Sequence, residues 1–350
     1  MRTTSMLSLT SLVTLALVAG CDTESSQLPS EPDAGVRAHR SPPQFSDWSA
    51  PISLGPVVNS TLTDIEVSIS KDGLSLYLAS NRPDGFGGFD IWVSQRARRE
   101  EPWGPPQNLG PSINTSANEQ GPALTRNGRQ LFFFSDRAGG FGGSDVYVSQ
   151  RRSKRDDFGW QAPVNLGSGV NTAFNENLPH YFKKRESGTV TLYFSSNRPG
   201  GCGGTDIYVA TLQPDETFGA TGHVPELCSP LRDAGMAIRR DGLEMILASD
   251  RAGTVGSFDL WVTTRASAQD PWSTPLNLGP VVNTVTDESR VALSHDGTAL
   301  YIVSGRPGGS GNLDIWVSNR SKIVDVDDEG DDDDQDNGDD EGGHMRDRRH

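Results

Sequence analysis

The chain has 350 residues, enough for one large domain or two ordinary ones, and it is rich in glycine, with 39, and in proline, with 22. The net charge of −15 is uneven, because residues 325–341 hold twelve acidic residues and no basic one, and removing those twelve charges leaves −3. A near-neutral body without a basic surface argues against nucleic-acid binding. The composition favours many short strands joined by glycine-rich turns over helices.

The first predicted element, over residues 1–20, is a targeting segment. A single basic residue, Arg2, precedes an apolar stretch over 7–18 that is too short to span a bilayer and is typical of a signal peptide. The following sequence "LVAGC", ending at Cys21, resembles the bacterial lipobox. The resemblance implies cleavage before Cys21 and lipid attachment to it; the alternative is a plain secretory signal with a chance cysteine. We therefore expect an exported protein of the bacterial cell envelope, anchored in the membrane through lipid, on the periplasmic side or at the cell surface, with a tether over 21–44.

A repeated phrase is the strongest signal in the rest of the chain. The phrase "FDIWVSQR" returns as "SDVYVSQR", "TDIYVATL", "FDLWVTTR" and "LDIWVSNR", at spacings of 55, 61, 53 and 55 residues. An arginine stands eight positions before the aspartate of each copy, and a glycine-rich stretch lies between the two. The pairs are Arg82 and Asp90, Arg137 and Asp145, Arg198 and Asp206, Arg251 and Asp259, and Arg306 and Asp314.

Each repeat predicts four strands. The first strand ends at an Asx-Gly turn such as Asp72-Gly73, a strong hairpin signal because both turn residues tolerate positive φ. The second strand is "LSLYLAS", with apolar residues at alternate positions, and the third is "DIWVSQ". The fourth is the short "PQNLG", where proline is acceptable on an edge strand. Four strands in about 55 residues, repeated radially, are typical of a propeller blade.

The two ends of the chain share one repeat. The phrase "WGPPQNLG" has an extra copy, "WSAPISLG", starting at Trp48, and is missing after the last repeat. We therefore expect the N-terminal strand to complete the last blade by pairing with residues 314–319. The predicted fold class is all-β: a five-bladed β-propeller of four-stranded blades over 45–322, followed over 323–350 by a disordered acidic tail.

These phrases resemble the TolB-type propeller repeat of bacteria, also called the WD-40-like or PD repeat. The matching residues are Ser-x-Asp-Gly, then Leu-Tyr-x-x-Ser-x-Arg, then Gly-Gly-x-Asp-Ile-Trp/Tyr-Val. The resemblance covers roughly 45–320. It implies the fold, and it implies a protein partner in the envelope as one function. The separate α/β domain and the sixth blade of TolB itself have no counterpart in the sequence.

Two sets of charged residues recur in every blade. The arginine and aspartate eight residues apart are interpreted as a pair that fixes the glycine-rich loop, with a ring of calcium sites as the alternative. A second set stands where strand one begins, and comprises Asp64, Glu119, Glu176, Asp233 and Glu288. Strand one is the innermost strand, so these carboxylates are expected to ring one mouth of the central channel. They would either accept backbone hydrogen bonds or bind a cation or a basic segment.

Other residues carry smaller predictions. The aromatic residue of strand three, Trp92 in the first blade, recurs in every blade and is expected to pack between blades. Cys202 and Cys228 are expected close together, because antiparallel strands bring the end of strand four near the loop before strand three. In an oxidising compartment they predict a disulfide, with two separate thiols as the alternative. A lone histidine, His180, is placed on the innermost strand of blade three.

The expected function follows from this repetition. Acidic residues that repeat blade by blade favour a structural role over a unique site, and the sequence holds no nucleophile-elbow serine, metal-binding histidine pair or phosphate loop. The sequence therefore predicts a protein-binding or scaffolding module without enzymatic activity or cofactor. Two alternatives use the same face: a carbohydrate hydrolase, which needs two carboxylates at a set separation, and a calcium-stabilised adhesin. The ligand is expected on the face with the longer glycine- and asparagine-rich loops.

Overall fold

The computed structural model describes residues 43–185 and 187–323, and these residues form β-strands with a single short 3₁₀ helix, Pro225–Leu227. The predictions for Cys21, for the signal peptide, for nearly all of the tether and for the acidic tail lie outside the described residues. Within the described ranges, no helix is long and apolar enough to cross a membrane.

The strands follow the repeat. In chain order they are β1 (Gln44–Phe45), β2 (Ile52–Ser53), β3 (Asp64–Ile69), β4 (Ser75–Ser80), β5 (Asp90–Gln95), β6 (Gln107–Asn108), β7 (Glu119–Leu124), β8 (Gln130–Ser135), β9 (Asp145–Gln150), β10 (Val164–Asn165), β11 (Glu176–Lys183), β12 (Val190–Ser196), β13 (Asp206–Leu212), β14 (Phe218–His223), β15 (Asp233–Ile238), β16 (Glu244–Ser249), β17 (Asp259–Thr264), β18 (Leu276–Asn277), β19 (Glu288–Leu293), β20 (Ala299–Ser304), β21 (Asp314–Asn319) and β22 (Lys322–Ile323).

These strands form five antiparallel four-stranded sheets, which confirms the predicted all-β, five-bladed propeller. The sheets are β3-β4-β5-β6, β7-β8-β9-β10, β11-β12-β13-β14, β15-β16-β17-β18 and β19-β20-β21-β2. The last sheet takes its outer strand from the N-terminal part of the chain, since Ile52 pairs with Val317 and Ser53 with Trp316. This is the expected ring closure. The closing strand lies four residues beyond Trp48.

A second contact between the two ends was not anticipated from the sequence. Strand β1 pairs with β22, with Gln44 opposite Ile323 and Phe45 opposite Lys322. The Phe45 ring lies 3.9 Å from the guanidinium carbon of Arg320 and 5.1 Å from that of Arg239. Cation–π contacts of this kind are individually small, and here they fasten the chain ends to the fourth and fifth blades.

Apolar residues fill the spaces between blades. Leu76, Leu78 and Trp92 of blade one pack with Tyr301 and Ile315 of blade five, so the core continues across the ring closure. The recurring aromatic residues of strand three are all buried in such interfaces: Trp92, Tyr147, Tyr208, Trp261 and Trp316. One blade alone would expose one of these faces, so burial requires the neighbouring blade.

Every innermost strand contains a β-bulge. In blade one the register skips Glu66, which has a φ of 53°, and in blade four it skips Gly235, which has a φ of 36°. Gly121 and Leu178 occupy the same place in blades two and three with φ of 65° and 51°. A positive φ is strained for a residue other than glycine. Bulges of this kind bend the strands that line the central channel and re-aim their side chains.

Candidate functional site

An equivalent buried arginine–carboxylate pair recurs in every blade, and its partners differ from those predicted. The arginine just after strand two binds the carboxylate that begins strand one of the same blade, and not the aspartate eight residues further on. The pairs and their N–O distances are Arg82–Asp64 (2.5 Å), Arg137–Glu119 (3.1 Å), Arg198–Glu176 (3.0 Å), Arg251–Asp233 (2.5 Å) and Arg306–Glu288 (3.1 Å). Antiparallel pairing explains this choice, because it places Asp64 opposite Ser80, two residues before Arg82.

Blade one shows what holds such a pair. The Nη2 of Arg82 also donates to the carbonyl of Val58 at 2.7 Å, and the guanidinium lies 5.3 Å from the ring centre of Trp92. Asp64 also accepts the backbone N–H of Ser60. A buried charge is tolerated only when it is paired and hydrogen-bonded. The cluster therefore ties the loop leading into the blade to its second and third strands.

This pairing favours the first of the two alternatives for the five carboxylates at the channel mouth, that they accept backbone hydrogen bonds, over a ring that binds a cation or a basic segment. Asp64, Glu119, Glu176, Asp233 and Glu288 are each 0% exposed. Each is neutralised by an arginine of its own blade, and each also accepts a hydrogen bond from the loop leading into the blade. A ligand could reach these oxygens only by breaking the clusters. The five carboxylates therefore have a structural role inside the blades.

The aspartates of the predicted loop pairs close the glycine-rich loops instead. Asp90 accepts the backbone N–H groups of Phe86 and Gly87 at 2.5 and 3.2 Å. The side-chain amide of Asn108, in strand four, donates to Asp90 at 2.8 Å. Asp145, Asp206, Asp259 and Asp314 likewise accept N–H groups from their own loops. A Cβ at Gly87 would lie 1.9 Å from the carbonyl oxygen of Ala117, which explains why glycine is required where the loop meets the next blade.

The two cysteines of the propeller are joined. Cys202 and Cys228 form a disulfide with a Cα–Cα distance of 5.9 Å. His223 lies beside it, and the candidate ligand atoms of Cys202, His223 and Cys228 are within 4.8 Å of one another. Zinc binds cysteine as the thiolate. Because both sulfur atoms are joined in the disulfide, Cys202, His223 and Cys228 do not form a metal site in this state.

A polar cleft of about 250 Å³ opens between blades two and three, on the face that carries the glycine-rich loops. Its lining consists of Asn118, Gln120, Phe134, Asp136, Gly143, Ser144, Asn175 and Asn177. We call it the amide cleft, because amide side chains from the two blades converge there. It lies on the face where the sequence predicted a ligand. Of its residues, only Asn118 and Asn175 stand out in the sequence, as neighbours of Glu119 and Glu176.

Hydrogen bonds fix several side chains of the amide cleft. Asp136 accepts the backbone N–H and the side-chain amide of Asn118 at 2.8 and 2.7 Å. Ser144 donates its hydroxyl to the amide oxygen of Asn177 at 2.5 Å. An ionised carboxylate has about four acceptor sites, so the exposed Asp136 keeps acceptor capacity toward the cleft. The arrangement offers a preorganised set of neutral donors and acceptors with one carboxylate.

A second cavity, of about 180 Å³, lies in the central channel and reaches the end that carries the Asx-Gly turns. Glu66 in its wall binds the side chain of Arg290 at 2.6 Å and accepts the backbone N–H of Gly121 at 2.5 Å. His180 accepts the backbone N–H of Ile238 at 3.2 Å, and burial lowers the pKa of His180 to about 4. His180 is therefore a neutral acceptor that joins blades three and four.

Comparison with known proteins supports the fold. No family model and no curated protein matches the chain. An α-L-arabinofuranosidase from Lactobacillus brevis is similar with a TM-score of 0.53 and 15% identity, over 76% of this chain and 92% of that one. The catalytic domain of an α-L-arabinofuranosidase from Coprinopsis cinerea gives 0.51 and 11%, over 78% of this chain and 98% of that one. TolB from Acinetobacter baumannii aligns over 78% of this chain and 63% of its own, at 11% identity and a TM-score of 0.45.

These matches correct one prediction. The chain was expected to lack enzymatic activity because its acidic residues repeat from blade to blade. The two matches with TM-scores of 0.53 and 0.51 are both arabinofuranosidases, so proteins of similar fold include glycosidases and the fold does not argue against an enzyme. The repetition concerns the buried Arg–carboxylate clusters and the aspartates that close the glycine-rich loops. It says nothing of the residues that differ between blades, such as those of the amide cleft.

Proposed function

We propose that this protein is a carbohydrate-active propeller of the glycosidase type, which takes a saccharide in the amide cleft. The observation that carries the proposal is the likeness of the whole propeller to two arabinofuranosidases, over 92% and 98% of their chains. Fold alone does not define a substrate. The chemistry of the cleft provides the second support.

Saccharides present many hydroxyl groups, each able to donate and to accept a hydrogen bond. The amides of Asn118, Gln120, Asn175 and Asn177 can do the same, since each amide has one acceptor oxygen and a donor NH₂ group. The half-buried ring of Phe134 adds an apolar surface for the C–H face of a sugar. A concave site with a few convergent polar groups is the usual form of a small-ligand site.

Asp136 is the residue in this cleft that could act on a glycosidic bond. Hydrolysis with inversion or retention uses two carboxylates, one as an acid and one as a base or nucleophile. Asp136 is the one carboxylate among the cleft-lining residues, so a hydrolase would need the second from beyond them. Binding and cleavage are therefore separate steps of the proposal and are measured separately.

The site of action is part of the same proposal. Lipid attachment at Cys21 would hold the propeller at an envelope membrane through the segment over 21–44, where it would meet cell-wall or extracellular saccharides. A protein partner in the envelope and a calcium requirement stay predictions from the sequence.

The test is a panel of arabinose- and xylose-containing oligosaccharides, with binding followed by calorimetry and cleavage by release of reducing ends. We expect the wild type to bind at least one of them and Asp136→Asn or Asn177→Leu to weaken that binding at least about tenfold, the loss expected of one or two buried polar contacts. Asp250→Asn is the matched control, because Asp250 follows strand two of blade four, where it binds Arg232 at 2.7 Å, outside the cleft. Equal losses in Asp136→Asn and Asp250→Asn would contradict the proposal.

A further inference from the structure

Basic side chains surround the channel cavity at the end that carries the Asx-Gly turns. In four blades the residue directly before the turn is basic: Lys71, Arg126, Arg240 and His295. In blade three, which has a longer turn, Lys183 at the end of β11 takes this place. All five line the same cavity. We call them the basic mouth.

Acidic side chains are few among the residues that line the cavity. Glu66 is the one acidic residue that lines the cavity, and it is 3% exposed and already bound to Arg290 at 2.6 Å. Within residues 43–185 and 187–323, Arg126 forms no salt bridge. Like charges at one opening repel one another and attract an anion.

The pKa of His295 reflects the positive electrostatic potential at this opening. Its Nε2 is buried and has no hydrogen-bond partner among the described residues. Burial and the positive charges of Arg240, Arg126 and Lys71 together lower the pKa of His295 to about 4, against the opposite effect of Asp296. The imidazole is therefore neutral at pH 7, and its residue lines a cavity that Arg240, Arg126 and Lys71 also line.

The chain leaves the propeller close to this opening. The last described strand, β22, ends at Ile323 and pairs with β1. Phe45 of β1 contacts Arg239, the neighbour of Arg240, and its ring would touch a Cβ on Gly297, in the Asx-Gly turn that follows His295, at 3.4 Å. The acidic segment 325–341, with its twelve acidic residues, begins two residues beyond Ile323.

We propose that the acidic segment 325–341 of the same chain binds the basic mouth. The charges are complementary, and a short tether between Ile323 and residue 325 gives the segment an effective concentration in the millimolar range at a nearby site. Such a contact is electrostatic and is weakened by salt. The inference does not depend on the proposed function, because the amide cleft is on the opposite face of the propeller.

The test uses two full-length proteins and a labelled peptide with the sequence of residues 325–341. One protein is the native chain; in the other, all twelve acidic residues of the segment are replaced by their amides. We expect the peptide to bind the neutralised chain at low salt and to bind the native chain at least about tenfold more weakly, because the native segment already occupies the site. Equal binding to the two proteins, or no binding to the neutralised chain, would overturn the inference.

Two variants of the neutralised chain locate the site. Arg126→Gln with Lys183→Gln should weaken peptide binding at least about fivefold. Arg152→Gln with Arg155→Gln removes the same charge from the exposed loop between β9 and β10 and should leave binding within about twofold. Equal losses in the two double variants would mean that net charge alone attracts the peptide, and would reject the basic mouth as the site.

Two further readouts separate the possible occupants. In the native chain the pKa of His295, followed by NMR, should be higher than in the neutralised chain, because bound carboxylates offset the charges of Arg240, Arg126 and Lys71. An unchanged pKa contradicts occupancy. Sedimentation should show a monomer at every concentration, whereas a dimer that disappears on neutralisation would assign the contact to the segment of a second copy and contradict the inference. Saccharide binding should be the same in both proteins, so its failure would affect the proposed function alone.

Discussion

Replacing Arg82 tests the repeated Arg–carboxylate clusters that support the blades. Arg82→Leu would leave the carboxylate of Asp64, which is 0% exposed, without its partner at 2.5 Å. Removing one member of a buried pair costs about 3–5 kcal/mol. The Val58 carbonyl would also lose a donor at 2.7 Å. Because the Arg82 side chain is 12% exposed, water can reach part of the vacated space, and we expect a loss of about 3–4 kcal/mol.

The free energy of unfolding would be measured by guanidinium denaturation with tryptophan fluorescence. The double variant Arg82→Leu with Asp64→Leu should be more stable than Arg82→Leu alone, because it removes the unpaired charge. The control is Arg98→Leu, whose pair with Glu101 is exposed at 75% and 37% and should change stability by no more than about 0.5 kcal/mol. A loss below about 1 kcal/mol for Arg82→Leu, or a double variant that is less stable than this single one, would refute the reasoning.

Three other predictions concern the contacts that hold the ring. Replacing Cys202 and Cys228 by serine opens a link with a sequence separation of 26, so the free energy of unfolding should fall by about 3.5 kcal/mol on the chain-entropy estimate, and a reductant should have no effect on the variant. Burial raises the pKa of Asp157, but hydrogen bonds led by Ser75 and Tyr77 outweigh that effect and hold the pKa below its ordinary value of 3.8. The contribution of this carboxylate to stability is therefore present above pH 3.8 and is lost as the pH falls through the lowered pKa. The difference in melting temperature between wild type and Asp157→Asn should accordingly shrink below about pH 4. Phe45→Ala removes the two cation–π contacts and some apolar burial at the joined chain ends, and should lower the free energy of unfolding by about 1–2 kcal/mol; no change would mean that β1 contributes nothing to closure.

The architecture could be predicted from the sequence because it depends on local signals that are repeated in every blade. The Asx-Gly turns, the alternating second strand and the extra copy at Trp48 each act over a few residues, and five copies remove the ambiguity of any one. The aspartate at position 90 was correctly placed at the glycine-rich loop, yet its partner was wrongly chosen. The eight-residue spacing to Arg82 suggested a local pair, whereas the arginine lies beside Asp64, 18 residues earlier in sequence.

That error has a physical reason that the sequence could have revealed. In an antiparallel hairpin the end of strand two lies beside the start of strand one. Arg82 must therefore lie near Asp64, whatever conformation the glycine-rich loop adopts. Counting the register back from Asp72-Gly73 would have found the pair. The basic mouth was visible in the same way, as the residue before each turn. The amide cleft was not, because its residues come from two blades and differ from their equivalents in the others.

The most direct test of the proposed function is a crystal structure of the full chain soaked or grown with an arabinose-containing oligosaccharide that it binds. We predict a sugar ring in the amide cleft, with hydroxyl groups within hydrogen-bond distance of Asn177 and Asp136 and its C–H face against Phe134. A saccharide bound elsewhere on the propeller, with the amide cleft filled only by water, would contradict the account.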